Sequence, residues 1–303
     1  MKNGKWISTK DAIDETTPLL VSIRCMVYNH GPYLRQCLDG FVKQQTSFRF
    51  EAIVHDDAST DDSASIIREY AEKYPEIIKP LYEEKNLYSV DKHELHRKMD
   101  EACIGKYVAT CEGDDYWIDP LKLQKQVDFM ESHPDCSMCI TAYYNKYGEE
   151  LVERRVYNED VEICSMEDII RQNGSFFSTA SIVYRRECFT EYPEWTKNAP
   201  VGDIPMLLVL AARGNVAYIN EIMNVYRRNS TNSWSQRISK NVSYLVQHRV
   251  RLNKMWEDYD EWTSRKYHKY IGKSKRKMNR QFDRLIVGAV IRKLTSFIKP
   301  RTA

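Results

Sequence analysis

The sequence lacks a long apolar run, a signal-peptide core, internal repeats and low-complexity tracts. Because no stretch of about 18 apolar residues occurs, no segment is predicted to span a bilayer. The opening residues Met1–Trp6 lack the apolar core of a secretory signal, so a cytoplasmic location is expected. What is present is a globular composition, with 42% hydrophobic and 29% charged residues. The 303 residues suggest one large domain with an appendage, or two domains.

Cysteine occurs eight times, but without a metal-binding pattern. Cys136 and Cys139 form a C-x-x-C pair, yet no second pair or histidine follows at the spacing of a zinc site. Four others lie among apolar residues: Cys25, Cys37, Cys103 and Cys111. This pattern favours small buried side chains in a reducing compartment over disulfide bonds.

The net charge of +2 conceals a division between an acidic body and a basic tail. Residues 264–303 contain thirteen Lys and Arg and one acid, Asp283, so they carry +12 and leave −10 for residues 1–263. The tail also contains the apolar stretch Leu285–Ile291. Such a basic helix can lie on the anionic inner face of the cytoplasmic membrane. Packing on the domain or on another subunit is the alternative, and the acidic body argues against nucleic acid.

The most informative local feature is the acidic run Glu112–Asp115, which reads Glu-Gly-Asp-Asp and follows the apolar segment Tyr107–Cys111. Carboxylates this close repel one another unless they are solvated or share a cation. Mg²⁺ and Mn²⁺ prefer oxygen ligands, and Mg²⁺ sites often combine one or two carboxylates with substrate phosphates. The run therefore indicates either a metal-bound phosphorylated ligand or a polar turn after a strand.

Strand and helix patterns alternate four times in the first 133 residues. Leu20–Val27 has the period of a strand, and Leu34–Val42 has the spacing of an amphipathic helix. The predicted strands are 20–27, 50–54, 77–82 and 107–111, and the predicted helices are 34–42, 64–71, 95–103 and 120–130. This alternation predicts a mostly parallel sheet with helices on its faces. Ligands bind at the carboxyl ends of such strands, where Asp56, Asp57 and Glu112–Asp115 fall.

The second half of the chain has a less regular pattern. We predict strands at 137–143, 178–185, 216–219 and 222–226, and helices at 166–172, 206–212, 236–262 and 264–299. Asp203 is expected to cap the helix at 206–212, with Pro205 in its first turn. The two long helices at the end form a C-terminal helical extension.

Three blocks together resemble the family 2 glycosyltransferases, which have a GT-A fold. The blocks are Val21–Asn29, Ala52–Asp61 and Gly105–Asp115, in this order. The resemblance implies an α/β domain at residues 18–234, built on a mostly parallel nucleotide-binding sheet flanked by helices. Residues 1–17 would then be an N-terminal extension, and residues 235–303 a basic helical region.

The resemblance also implies roles for the strand-end residues. Asp57, with Asp56 beside it, matches the family residue that holds the nucleotide base and ribose. The family's D-x-D motif falls on Glu112-Gly113-Asp114, with Glu in place of the usual first Asp. Asp114, helped by Asp115, would bind Mn²⁺ or Mg²⁺ at the donor diphosphate, and Glu112 would face the ribose. The remaining implied donor contacts are Tyr28, Asn29, Asn86 and Arg228.

Two further segments match the family more loosely. Gly202 stands where the family has Glu, and the next residue, Asp203, is the candidate general base. A simple helix cap is the alternative for Asp203, and the two roles are compatible. In Tyr226–Trp234 an aromatic-Arg pair leads into a loop that can close over the donor phosphates, with Arg227 or Arg228 supplying positive charge. A surface hairpin end is the alternative there.

Breaking a sugar–diphosphate bond creates a charged leaving group, which a metal can stabilise while a carboxylate takes the proton of the acceptor hydroxyl. The resemblance, with which this chemistry agrees, therefore implies a metal-dependent glycosyltransferase with a nucleotide-diphosphate sugar donor and a glycan or lipid-linked glycan acceptor, in bacterial surface polysaccharide or glycolipid biosynthesis. Inversion is implied by the family alone. The alternatives are a nucleotidyltransferase, whose Gly-rich basic loop is missing after the first strand, and a non-catalytic nucleotide-sugar binding module.

Overall fold

The computed structural model describes residues 16–157, 162–172, 177–197, 199–228 and 242–298. The chain divides into two compact units. The first unit comprises 1–164, 177–190 and 213–227, and the second comprises 165–176, 191–212 and 228–303. Most of the predicted N-terminal extension lies outside the described residues. The domain boundary expected after residue 234 stays a prediction.

The first unit begins with the predicted alternation of strands and helices, which is confirmed. Its elements are β1 (Leu19–Val27), α1 (Gly31–Val42), β2 (Arg49–Asp56), α2 (Ser63–Lys73), β3 (Ile78–Tyr82), α3 (Leu87–Val90), α4 (Lys92–Ala102), β4 (Tyr107–Thr110), β5 (Tyr116–Trp117) and α5 (Lys122–Ser132). Leu34, Leu38 and Phe41 bury one stripe of α1 because they recur at helical spacing. They join a core with the strand residues Val21 and Ile23.

Later segments of the first unit complete a single sheet. They are β6 (Cys136–Tyr147), β7 (Glu150–Arg154), β8 (Ile163–Cys164), β9 (Val183–Arg185) and β10 (Asn215–Arg227). The sheet order is β3-β2-β1-β4-β9-β6-β10-β5, with β7 paired to β6 and β8 to β10. Strands β3, β2, β1 and β4 are parallel, as are β6 and β10, whereas β9 and β5 are antiparallel to their neighbours. The predicted fold class is therefore confirmed, as a mixed and mostly parallel sheet flanked by helices.

Three predicted elements differ from the structure. The strand expected at 178–185 begins with a 3₁₀ turn over Thr179–Ser181, because Ser181 donates from both its N–H and its hydroxyl to the Ser178 carbonyl. The two strands expected at 216–219 and 222–226 form one strand, β10, with irregular pairing between Ile219 and Ile222. The hydrogen bonds of Ser181 produce the first difference, and the pairing of β10 with β6 along its length produces the second.

The second unit is helical in its described part. It contains α6 (Met166–Gln172), α7 (Glu194–Lys197), α8 (Asp203–Arg213, which ends at the unit boundary), α9 (Val242–Trp262) and α10 (His268–Ile298). The third difference is at α8, which begins three residues before its predicted start. The Gly202 carbonyl accepts from the Met206 N–H, so Asp203 is the first helical residue and not the cap. Pro205 lies in the first turn, as predicted.

The long helices α9 and α10 form a hairpin joined by residues 263–267. Leu245 near the start of α9 packs in one cluster with Ala289 near the end of α10, so the two helices are antiparallel. Asn253 and Asn279 exchange side-chain hydrogen bonds in the middle of the pair. The prediction of two C-terminal helices is confirmed for these residues, and its part at 236–241 lies outside the described residues. No helix in the described part of the chain has an apolar stretch that could cross a membrane.

Candidate active site at the strand ends

The end of β1 lies between the two acidic segments of the first unit. On one side, the Asp57 N–H donates to the Val27 carbonyl at 2.9 Å. On the other side, the Gly113 N–H donates to the Met26 carbonyl at 3.1 Å. Because Met26 and Val27 are consecutive, these bonds bring both acidic segments to one edge of the sheet. The edge is the carboxyl end of the parallel strands, where ligands bind in such folds.

The paired acids at the end of β2, Asp56 and Asp57, are both buried, but their carboxylates have different partners. Both oxygens of Asp57 accept backbone N–H groups from the start of α3, at 2.6 Å from Leu87 and 3.0 Å from Tyr88. Asp57 therefore fixes the beginning of that short helix. Within the described residues, the carboxylate of Asp56 accepts one longer bond, from the Ser59 N–H at 3.3 Å. More of the hydrogen-bonding capacity of Asp56 thus remains for a ligand.

The loop after β1 is held against the segment that follows β2. Asn29 has a φ of 56°, a left-handed conformation that asparagine tolerates better than most residues. Its side-chain oxygen accepts from the Thr60 N–H at 2.7 Å, and its own N–H donates to the Ser59 hydroxyl at 2.9 Å. Tyr28 is 45% exposed beside it. Asn86 caps α3 by accepting from the Ser89 N–H at 2.8 Å.

The acidic run forms a turn in which the Asp115 N–H donates to the Glu112 carbonyl at 3.0 Å. Glu112 and Asp114 are partly exposed, whereas Gly113 between them is buried. A Cβ at Gly113 would lie 2.8 Å from His30 Nδ1 and 2.9 Å from a Val27 methyl carbon. Glycine is therefore required for the close approach of this turn to β1.

Asp115 is buried beneath the turn, 1% exposed, and its Oδ1 accepts the Arg227 N–H at 2.8 Å. Burial raises the pKa of its carboxyl well above the ordinary value, and the nearby charge of Asp114 raises it further. The hydrogen bond from Arg227 acts in the opposite direction. Asp115 thus joins the acidic turn to the end of β10.

The Arg227 side chain makes a second connection between β10 and the turn. Its guanidinium donates to the Asp114 carbonyl at 2.9 Å and to the Gln36 side chain. It lies 4.5 Å from the ring centre of Tyr116 and 5.1 Å from that of Tyr33. Of the two arginines that could supply positive charge, the predicted donor contact is Arg228, which directly follows β10 and is partly exposed. The rest of the predicted loop, 229–234, lies outside the described residues.

The candidate base, Asp203, lies at the start of α8 in the second unit. It is partly buried, and its Oδ1 accepts from the Ile204 N–H at 2.9 Å. Burial raises the pKa of Asp203 above its ordinary value, while the backbone hydrogen bond lowers it. A carboxylate with a raised pKa is a stronger proton acceptor, which suits a general base.

One buried cation near the acidic turn has no signal in the sequence. Lys122 is fully buried in the first turn of α5, where its ammonium donates to Gln126 at 2.6 Å and lies 4.4 Å from the ring centre of Trp117. Burial lowers its pKa to about 7. The helical pattern of α5 gave no reason to place a lysine inward, because charged side chains are rarely buried.

The residues of the turn fit a divalent cation whose coordination a ligand completes. Among the residues that the structure describes, no group of three or more His, Cys, Asp or Glu is arranged to hold a metal. Asp114 nevertheless presents a partly exposed carboxylate from the turn, and the carboxylate of Asp115 lies buried next to it. One or two carboxylates combined with substrate phosphates are a common Mg²⁺ environment.

Comparison with known proteins identifies the family and the fold. A family model described as "Glycosyl transferase family 2" matches residues 22–192, more than half of the chain. An uncharacterized protein of Mycobacterium tuberculosis (strain H37Rv) is 35% identical over 218 residues, which are 71% of this chain and 60% of that protein. This chain therefore matches less than two thirds of that relative's length. The putative teichuronic acid biosynthesis glycosyltransferase TuaG of Bacillus subtilis is 27% identical over 239 residues, 78% of this chain and 90% of TuaG.

Solved structures with the same fold include two nucleotide-sugar complexes. Staphylococcus aureus TarS with UDP-GlcNAc superposes with a TM-score of 0.56 at 17% identity, over 77% of this chain and 66% of that one. The mannosyltransferase PcManGT of Pyrobaculum calidifontis with GDP-Man and Mn²⁺ has a TM-score of 0.55 at 17% identity, over 82% and 68%. At this identity the structures support the GT-A-like fold alone, whereas the family model covers both acidic segments. The chain belongs to glycosyl transferase family 2.

Proposed function

We propose that this protein transfers a sugar from a nucleotide-diphosphate donor to a hydroxyl acceptor, with inversion at the anomeric carbon. The observation that carries the proposal is the pair of hydrogen bonds that join Asp57 and Gly113 to consecutive residues at the end of β1. They bring the pair Asp56–Asp57, our candidate nucleotide-binding acids, and the candidate phosphate–metal turn to one edge. The positions of these segments along the chain agree with the family match at 22–192.

The donor would lie across this edge, with its base and ribose toward β2 and its diphosphate toward the acidic turn. Asp56, with one long hydrogen bond, is our main candidate for the nucleoside, and Asp57 orients α3 and the Asn86 loop beside it. Tyr28, which is exposed, offers an aromatic face for stacking. Glu112 would accept from a ribose hydroxyl.

Asp114 is the proposed ligand of a divalent cation, Mn²⁺ or Mg²⁺. Asp115 stays a second candidate, through the carboxylate oxygen that does not accept from Arg227. When bound, the cation would stabilise negative charge on the departing diphosphate. Arg227 keeps the turn in place from the β10 side, and Arg228 is the candidate for a direct phosphate contact.

Asp203 is the proposed general base. It would take the proton from the acceptor hydroxyl as that oxygen attacks the anomeric carbon and the nucleotide diphosphate leaves from the opposite face. A single displacement of this kind inverts the configuration. We propose a glycan or lipid-linked glycan acceptor in bacterial surface polysaccharide or glycolipid assembly, and the description of TuaG as a putative teichuronic acid biosynthesis glycosyltransferase supports this proposal. The proposed location is the cytoplasm, with contact at the inner membrane face.

The test separates donor binding from catalysis. Purified protein is screened with UDP- and GDP-sugars by thermal shift, with and without Mn²⁺, and release of nucleotide diphosphate is then measured for the best donor. Asp114→Asn should lose the Mn²⁺-dependent stabilisation and at least about a hundred-fold in turnover. Asp203→Asn should keep the stabilisation and lose turnover by a factor on the order of a hundred or more.

Asp128→Asn is the matched control, because this exposed carboxylate on α5 accepts only from Gln124 of the same helix among its described contacts. It should behave as wild type in both assays. Unchanged turnover in both Asp114→Asn and Asp203→Asn would contradict the assignment. Donor stabilisation without any turnover in the wild type, with a range of glycan acceptors, would favour a binding module.

A further inference from the structure

The outward side of α10 carries a continuous charged stripe. Eight exposed residues share one side of the helix, and all but the adjacent pair Arg276 and Lys277 follow one another at intervals of three or four positions: Lys269, Lys273, Arg276, Lys277, Arg280, Arg284, Val287 and Ile291. We call these residues the α10 outer face. Its first six members are cations and its last two are apolar, so its character changes from basic to hydrophobic along the helix.

The opposite side of α10 is the one that packs within the second unit. Ile271, Met278 and Ala289 are buried, and Phe282 and Ile286 contact the cluster around Leu245 of α9. The apolar stretch at 285–291 is thus divided by the helical period. Ile286 and Ala289 are used for packing, whereas Val287 and Ile291 are 57% and 54% exposed.

The cations of the outer face also differ from their neighbours in their partners. Lys275, on the packed side, forms an ion pair with Glu257 at 2.7 Å, and Arg249 of α9 pairs with Asp283 at 2.6 Å. None of the six outer-face cations forms an ion pair with a described residue. Asp283 is the single acid of α10. The face therefore presents positive charge without a described ion pair, and Lys273 and Lys277 border a pocket that Asp168 and Arg171 of α6 also line.

We propose that the α10 outer face binds the surface of an anionic phospholipid membrane, with the cations at the lipid phosphates and the two apolar residues in the headgroup–acyl boundary. Basic side chains next to exposed apolar ones are what such an interface requires. The phosphodiester backbone of a nucleic acid would also attract the cations, but it would not bury the exposed apolar residues Val287 and Ile291. Symmetric pairing of two such faces would bring like charges together, which opposes self-association through this face.

The proposal rests on the helix alone and not on the proposed enzymatic activity, so each can fail without the other. Each basic side chain near an anionic surface contributes roughly a five-fold gain in partitioning at moderate salt. Neutralising four of them should therefore weaken binding on the order of a hundred-fold or more. The apolar residues should contribute a part of the binding that salt does not screen.

The experiment measures co-sedimentation of the full chain with vesicles of phosphatidylcholine, with and without phosphatidylglycerol. The wild type should bind only the vesicles that contain phosphatidylglycerol, and more weakly at high salt. The variant K273Q/K277Q/R280Q/R284Q should lose this binding. The variant V287S/I291S should bind several-fold more weakly and lose the part of the binding that resists salt.

The matched control is K43Q/K73Q/K79Q/K106Q, which removes the same charge from exposed lysines of the first unit. It should bind vesicles as the wild type does if the face, and not net charge, is responsible. Equal loss of binding in the control would overturn the proposal. So would wild-type binding to double-stranded DNA but not to vesicles, or a change of oligomeric mass in the α10 variant with vesicle binding retained.

Discussion

The acidic edge of the sheet and the α10 outer face are both clusters of like charge, but they are built in opposite ways. At the edge, Asp57 and Asp115 are buried and accept backbone N–H groups from α3 and β10. On α10, Lys273 and Arg280 project into solvent without a described ion pair. Backbone hydrogen bonds fix the carboxylates of the first cluster, whereas the packing of α10 determines only which way the cations of the second cluster face.

This difference predicts how each cluster tolerates substitution. Substituting a residue of the acidic edge should lower both stability and activity, because the polar atoms of these residues are buried and paired. Exposed charges have small effects on stability and show their role only when a partner is present. Substitutions at Lys122, Arg227, Gly113 and the α10 outer face, in decreasing order of expected effect, test this contrast.

The largest expected effect is the pH dependence caused by Lys122, a buried cation in the first unit. Its pKa is about 7 in the folded protein, against an ordinary value of 10.5. Between these values the unfolded chain binds more protons, so stability should rise with pH and fall as pH decreases toward 7. The slope is about 1.4 kcal/mol per pH unit.

Urea unfolding at several pH values from 7 to 9 measures this slope. Lys122→Met should remove it, whereas Lys106→Met, at an exposed lysine paired with Glu131, should leave it unchanged. The slope of the wild type is compared with that of each variant, because other buried groups also contribute to it. Burial raises the pKa of thiols such as Cys139, so their titration lowers stability as pH rises. Parallel curves for Lys122→Met and the wild type would contradict the burial of this ammonium.

The next effect concerns Arg227, which ties the acidic turn to β10. Arg227→Met removes two hydrogen bonds and two ring contacts, so we expect a loss of about 2–3 kcal/mol in the free energy of unfolding. Turnover should fall further than this stability loss explains, because the turn is no longer held. Arg213→Met is the control, since that side chain donates one bond to the Cys188 carbonyl. Equal losses in the two variants would show that Arg227 has no special position.

Gly113→Ala tests the close approach of the turn to β1. The added methyl group would meet His30 Nδ1 at 2.8 Å and Val27 at 2.9 Å, so unfolding should be easier by about 2 kcal/mol. Gly272→Ala, in α10, meets nothing within 4 Å and should stabilise the protein by about 0.5–1 kcal/mol. The opposite signs of the two substitutions are the informative result. A Gly113→Ala protein as stable as the wild type would mean that the turn lies farther from the strand.

The smallest expected effect is on the stability of the α10 outer face variant. K273Q/K277Q/R280Q/R284Q should change the free energy of unfolding by less than about 0.5 kcal/mol, because none of these side chains has a described ion pair to lose. Thermal unfolding in the absence of vesicles measures this. A large destabilisation would show that the face packs against protein, and the contrast between the two clusters would disappear.

Much of the sheet and its acidic edge was predictable from sequence because it follows from local periodicity. The strand before Asp56 and the helix through Leu34 and Phe41 have clear repeats, and consecutive parallel strands end at one edge. The position of Arg227 was not predictable, since it depends on antiparallel pairing of Val225 with Tyr116, more than a hundred residues away along the chain. Only this pairing distinguishes Arg227 from its neighbour.

The tail illustrates the same limit. Its helices and charge follow from local sequence, and a helical period already separates Ile286 from Val287. Which of these two faces solvent depends on the packing of α10 against Leu245, a contact made over more than forty residues. For the same reason the sequence could not separate Asp114, partly exposed, from Asp115, buried next to it.

The central claim is that the acidic turn binds a nucleotide diphosphate together with a divalent cation. The most direct test is calorimetric titration of UDP and of GDP into the wild type and into Asp114→Asn, with and without Mn²⁺. We predict that the wild type binds one of them at least about ten-fold more tightly with Mn²⁺, and that Asp114→Asn loses this gain. Equal Mn²⁺ dependence in the two proteins, or no nucleotide binding by the wild type, would contradict the account.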